Sequence, residues 1–170
     1  MADLPATTNG EKQDKITIIA CSGDLDKIWP TLILATTAAA CGQEAVVFFT
    51  FWGLFALVKP EKARKTGKNW MTKMLPIMNP GSAKKAKLSK LNMGGMGAWM
   101  MKRIARDYKT LTPDQLLDLA QEMGVRLLPC QMTMDLMGLT KDDLIDGLAE
   151  PVGAATALLE MKESTTQLFI

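Results

Sequence analysis

Three cysteines, Cys21, Cys41 and Cys130, carry the thiol chemistry this sequence can offer. Histidine is absent, which removes Ser-His-Asp and Cys-His catalysis, histidine zinc sites and imidazole general bases. No two cysteines form a Cys-x-x-Cys pair, so neither a zinc knuckle nor a thioredoxin-type motif is present. Their odd number and wide spacing fit a reducing compartment better than a disulfide scaffold, and a cytoplasmic protein is expected. Cys130 follows the strand-like run Val125–Pro129 and precedes a helical turn, Gln131-Met132-Thr133-Met134. A thiol at a helix start has its thiolate favoured by the dipole and by free N–H groups. Such a group suits a nucleophile or a persulfide carrier. A buried, inert cysteine fits the same position equally well.

Cys21 has a similar placement in Cys21-Ser22-Gly23-Asp24, whose backbone could form an anion nest. It is a secondary thiol candidate, with plain packing the favoured reading. Cys41 ends an apolar helix and reads as packing. The loop lacks the GxGxxG and GxxxxGK[ST] patterns, so no nucleotide cofactor is expected. Asp135, Asp142, Asp143 and Asp146 read as helix caps and a solvated face rather than a calcium loop, so no metal is expected there.

The elements that must position these residues alternate between strand and helix. Lys15–Ala20 predicts a strand and Asp26–Cys41 a helix with Pro30 in its first turn. Ala45–Thr50 predicts a buried parallel strand and Phe51–Val58 a helical piece. Thr112 is expected to cap a helix running to about Met123, followed by the strand that delivers Cys130 and a short helix to Met137. A further short strand or extended piece is expected near Asp146–Ala149, a last helix from Pro151 or Val152 to Met161, and a final strand at Gln167–Ile170. The fold class is therefore α/β: three layers, α/β/α, around a parallel sheet of about five strands, with Cys21 and Cys130 on the carboxyl edge where ligands bind. At 170 residues the chain suits one domain, residues 15–170, after a disordered leader over residues 1–14 that lacks the apolar core of a signal peptide. Ile28–Val58 carries only Glu44 as a charge, yet Gly42 breaks it, and it reads as helix, turn and strand of a soluble protein rather than a membrane span.

Residues 59–106 differ in composition and read as an insertion, partly helical, broken at Pro76, Pro80-Gly81 and Gly94-Gly95. They hold thirteen of the twenty basic residues and only one acid, Glu61. They also hold seven methionines, Trp70 and Trp99. In order of preference, the segment is a solvated loop, a cationic amphipathic surface for a membrane or an acidic partner, or a thioether site for Cu(I). It shows no nucleic-acid-binding motif, and no nucleic acid is expected.

Ser22–Lys27, Val47–Leu54 with its Phe-Phe-Thr-Phe-Trp-Gly core, and above all Cys130–Gly138 resemble the DsrE/DsrF/DsrH-like family. The likeness is narrower to its DsrE-type sulfur carrier branch, often labelled peroxiredoxin-like, although no surrounding motif for peroxide reduction is present. Gly153-Ala154-Ala155-Thr156 fits too. The resemblance covers most of residues 15–170. It implies a flavodoxin-like sheet, homo-oligomers such as trimers or hexamers, and passage of sulfane sulfur as a cysteine persulfide in sulfur oxidation or trafficking. The partner would be a TusA-like sulfur carrier or a rhodanese. The family's cysteine falls on Cys130. The competing expectation is a non-catalytic binding module whose cationic Met-rich arm makes a peripheral membrane contact or docks an acidic protein.

Overall fold

The computed structural model describes residues 14–62 and 81–170. The expected leader lies almost wholly outside the described residues, and residues 63–80 of the expected insertion lie outside them too.

Strand β1, Lys15–Ala20, is buried at all six positions. Strand β2, Glu44–Phe49, is buried from Ala45 onward. Both are rich in β-branched residues, as central parallel strands covered on both faces should be. Strand β3, Arg126–Pro129, pairs with β2, and β4, Thr166–Phe169, pairs with the other side of β1. All four are parallel, in the order β3-β2-β1-β4. The register aligns Ala20 with Phe49 and Phe49 with Pro129. The next residues, Cys21, Thr50 and Cys130, therefore fall in one row at the carboxyl edge.

Near Asp146–Ala149 the extended piece forms rather than a strand, so among the described residues four strands stand where about five were expected. That piece runs beside β3. Ala149 N–H donates to Leu127 O at 3.1 Å, Val152 N–H to Pro129 O at 2.9 Å, and Gln131 N–H to Val152 O at 2.9 Å. Only one bridge results, between Cys130 and Val152. Gly147 at φ +77° and Pro151, which has no N–H, prevent a continuous ladder. Because Val152 serves this bridge, the last helix begins at Ala154 rather than at 151 or 152.

Helix α1, Leu25–Ala40, lies on one face of the sheet. Pro30, expected in its first turn, lies farther inside the helix. The Met96–Asp107 helix of the basic segment is α2, and Pro113–Glu122 is α3. Ile28, Leu32 and Ala35 of α1 and Leu116, Leu117 and Ala120 of α3 bury against Ile18, Val47, Phe49 and Leu127. The other face has a smaller core of Ile19, Val46, Phe48, Leu128 and Cys130, packed with Ala157 of the last helix. Among the described residues that face is thinly covered, and Leu158, Leu159 and Phe169 stand exposed beside it. Among the described residues, no helix is long and apolar enough to cross a membrane. Ile28–Val58 folds as helix, turn, strand and a 3-10 helix over Phe51–Leu57.

The 3-10 helix presses its Gly53 onto the end of β1. A Cβ there would sit 2.2 Å from Ala20 O, which no side chain tolerates. Gly53 N–H also donates to Cys21 O at 3.1 Å. Gly53→Ala should therefore cost about 3 kcal/mol of unfolding free energy, measurable by urea denaturation.

At the opposite edge a charge cluster ties the last helix to three strands. Lys15 Nζ lies 2.6 Å from Glu160 Oε2 and 3.0 Å from Glu163 Oε2. Arg126 bridges Glu160 at 2.6 Å and Glu44 at 2.8 Å. Lys15 and Glu160 are both buried. Burial alone would raise the Glu160 carboxyl pKa, but hydrogen bonds from Arg126 and Lys15 outweigh it and hold it low. A carboxylate held low in the fold contributes stability above its unfolded value and loses it as pH falls through its folded value. Acid titration of Tm should thus show a loss beginning below about pH 4.5. Glu160→Gln should flatten that loss and, at pH 7, cost about 2 kcal/mol, discounted because Arg126 is half-exposed.

Candidate functional site

Cys130 directly follows β3 and is the cap residue of the next helix, α4, Gln131–Met137. Its N–H donates to Phe49 O at 3.0 Å, so the β2–β3 pairing fixes where the thiol stands. The residue is only 5% exposed. Its side chain faces the thinly covered side of the sheet, with Phe48, Leu128 and Ala157.

Polar groups nonetheless converge on it. Thr133, three residues along α4, places its hydroxyl and N–H toward the sulfur, and the Met132 N–H and Thr50 hydroxyl add to them. As a neutral thiol the sulfur makes no capping hydrogen bond. A thiolate would draw on all four donors. Burial pushes the Cys130 pKa up, and these hydrogen bonds more than reverse it, so the net direction is below the ordinary thiol value of 9.0.

The donors are themselves held. Thr133 Oγ1 accepts from Phe51 N–H at 3.1 Å and lies 3.2 Å from Thr50 Oγ1. With Phe51 N–H donating to it, the Thr133 hydroxyl hydrogen is free to turn to the sulfur. Phe51 has φ 49°, a left-handed conformation that costs a bulky residue some strain. The turn is pinned by Thr50 N–H donating to Ala20 O at 3.0 Å and by Gly53 against β1.

Cys21 stands on the same edge, half-buried. Its N–H and its Sγ both donate to the carbonyl of the last residue, Ile170, at 2.9 and 3.3 Å. With β2 between them, Cys21 and Cys130 are about 10 Å apart at the backbone, given ordinary strand spacing. That is too far for a disulfide without backbone movement. Ser22 and Asp24 hydrogen-bond each other, closing the loop on itself. Cys41 is exposed at the far end of α1, at the opposite edge. The structure therefore brings Cys21 and Cys130 to one edge and leaves Cys41 out. Among the described residues, no cluster of acids and cysteines could hold a metal ion.

Sequence reasoning missed Thr50 and Thr133. The signal was the Cys-x-x-Thr spacing of a helix cap and its third residue, where a side chain and a backbone N–H meet.

The pH dependence of alkylation locates the thiolate. The Cys130 midpoint should fall below 9.0. Thr133→Val should raise it, because it removes one hydrogen bond to the charged sulfur, whereas Thr133→Ser should keep it low. Equal midpoints in the wild type and Thr133→Val would remove the hydroxyl from this role.

Comparison with known proteins gives the arrangement a family. Residues 12–169 match the model of the DsrE/DsrF/DrsH-like family. The chain is 41% identical over 160 residues to the uncharacterized protein YrkE of Bacillus subtilis, covering 94% of this chain and 99% of that one. It is 37% identical over 168 residues to the sulfur carrier protein DsrE2 of Allochromatium vinosum, again covering 94% and 99%. Among solved structures, the ychN protein of E. coli superposes with a TM-score of 0.56 at 12% identity, over 93% of this chain and 99% of that one. At that identity the likeness speaks for the shared fold alone. With the family match spanning nearly its whole length, the chain belongs to the DsrE/DsrF/DrsH-like family.

Proposed function

We propose that this protein is a sulfur carrier, and that Cys130 holds the sulfur as a persulfide. The observation that carries the reading is the convergence of the Thr133 and Thr50 hydroxyls and two backbone N–H groups on one buried thiol. The 37% identity to a protein named as a sulfur carrier supports the same reading. Residues 15–170 act in it as one domain, with the basic insertion at about 59–106.

The exchange needs only a thiolate. Cys130 S⁻ attacks the outer sulfur of a donor persulfide, the new S–S bond forms as the donor S–S bond breaks, and the donor leaves as a thiolate with the electron pair. One proton stays on the transferred sulfur, and no net oxidation occurs. An acceptor thiolate then repeats the step on the Cys130 persulfide. The same donors that favour the Cys130 thiolate favour it again as the leaving group. An imidazole is not required, in keeping with a sequence that has none.

A TusA-like carrier or a rhodanese in the cytoplasm fits as donor or acceptor, within sulfur oxidation or another sulfur-trafficking route. Leu158, Leu159 and Phe169, exposed beside the thin face, support assembly as a homo-oligomer, trimer or hexamer, which would cover them. Cys21, in the same row, is the secondary thiol that a sulfur could reach after a shift of the edge.

Intact-mass measurement after incubation with a persulfidated TusA-type carrier tests the proposal. The wild type, Cys21→Ser and Cys41→Ser should each gain sulfur, and Cys130→Ser should gain none. A Cys130→Ser protein that loads as fully as the wild type would refute it. At neutral pH, Thr133→Val should load several-fold more slowly, its smaller thiolate fraction being offset in part by the greater nucleophilicity of a higher-pKa thiolate.

A further inference from the structure

Helix α2 is packed the wrong way round for a core helix. Its buried positions are the small Gly97, Ala98 and Ala105. Gly97 lies so close to the preceding segment that a Cβ there would be 2.1 Å from Leu91 O. The large apolar side chains of the helix point outward: Trp99 is 67% exposed, and Met96, Met100 and Ile104 are exposed beside it. Leu91 and Met93, just before the helix, extend the stripe, and Leu91 is 79% exposed. An apolar groove of about 490 Å³ runs between residues 88–91 and the helix, floored by Leu88, Met96 and Met100.

This outward face is anchored. Leu25 N–H donates to Lys87 O at 2.7 Å, and Ser89 N–H donates to Asp26 Oδ1 at 2.8 Å. Trp29 Nε1 donates to Leu111 O at 3.0 Å at the other end. All three ties are to the first turns of α1, so the segment sits by the carboxyl edge that carries Cys21. A contiguous apolar stripe held rigidly in water marks an interaction surface.

Charge selects the occupant. From residue 81 to residue 111 the sequence has eight basic residues, Lys90, Arg103 and Arg106 among them, and Asp107 as its only acid. A second copy of the chain meeting this face symmetrically would set those cations against themselves. An anionic lipid surface meets both features at once. Its headgroups neutralise the cations, and its acyl region receives Trp99, Met96, Met100 and the groove. Trp99 and the exposed Tyr108 are the residue types that settle at a lipid headgroup boundary.

We infer that α2 and the segment before it, residues 88–107, dock this protein peripherally on anionic membranes, with Trp99, Met96 and Met100 entering the interface and Arg103 and Arg106 engaging headgroups. The inference is independent of sulfur chemistry at Cys130. Docking would hold the carboxyl edge close to the membrane, where a membrane-bound sulfur donor or acceptor could reach it.

Vesicle flotation of the full chain tests this. The probes are phosphatidylcholine vesicles with and without phosphatidylglycerol, and polyglutamate as an acidic polypeptide. The wild type and Cys130→Ser should float with the phosphatidylglycerol vesicles, not with pure phosphatidylcholine, and high salt should weaken binding. The triple change Met96→Ser, Trp99→Ser, Met100→Ser and the double change Arg103→Glu, Arg106→Glu should each lower the partition coefficient at least about tenfold. All five positions are exposed or at the surface, and far-ultraviolet circular dichroism checks that each variant is folded. No flotation of the wild type with anionic vesicles overturns the inference. So does a triple variant that floats like the wild type, which would leave charge alone at work. Retention on polyglutamate without flotation overturns it in favour of an acidic protein partner.

Discussion

The hydroxyl of Thr133 is the hinge of this structure's chemistry. It receives the N–H of Phe51 at the end of β2 and offers its hydrogen toward the sulfur at the end of β3. Together with the Thr50 hydroxyl and the Thr133 and Met132 N–H groups, it supports the charged form of a buried thiol that desolvation would keep protonated. For Thr133 to stand there, β2 must end in an abrupt turn, and Phe51 must accept a left-handed backbone. Gly53 allows that turn by pressing onto Ala20 where no Cβ would fit. The site therefore depends on three neighbouring strand ends at once, and its placement is a property of the parallel register.

The two edges of the sheet divide the work. At the amino edge, Lys15, Glu44, Arg126 and Glu160 lock the last helix onto β1, β2 and β3. At the carboxyl edge, backbone groups are spent on positioning Cys21, Thr50 and Cys130. The helix so locked is also what covers Cys130, through Ala157. The charge cluster at one end and the proposed sulfur site at the other are thus joined through a single ten-residue helix.

Much of this was readable from residue patterns. The runs Lys15–Ala20 and Gln131–Met137 appear with the expected bounds, because their hydrophobic patterns and flanking turn residues agree. The placement of Cys130 between a strand and a helix was legible because Val125–Pro129 reads as a strand and Gln131–Met134 as a helical turn. Whether Asp146–Ala149 would be a strand or only an extended piece was not legible, because Gly147 and Pro151 defeat the ladder only in three dimensions. Thr50 was hidden because its link to Cys130 joins residues far apart in sequence through sheet register. The inverted packing of α2 was equally hidden: its composition signals an amphipathic helix, but which face turns inward is decided by the close approach at Gly97.

The central claim is that one thiol of three takes up sulfur. Its most direct test is peptide mapping of the wild-type protein after brief, sub-stoichiometric exposure to a persulfidated carrier, with a persulfide-selective alkylating label, so that the three cysteines compete in one molecule. The labelled sulfur should appear on the peptide containing Cys130, ahead of Cys21 and Cys41. Label found first on exposed Cys41, or spread evenly over all three, would mean that exposure rather than the Thr133 arrangement governs reactivity, and would contradict it.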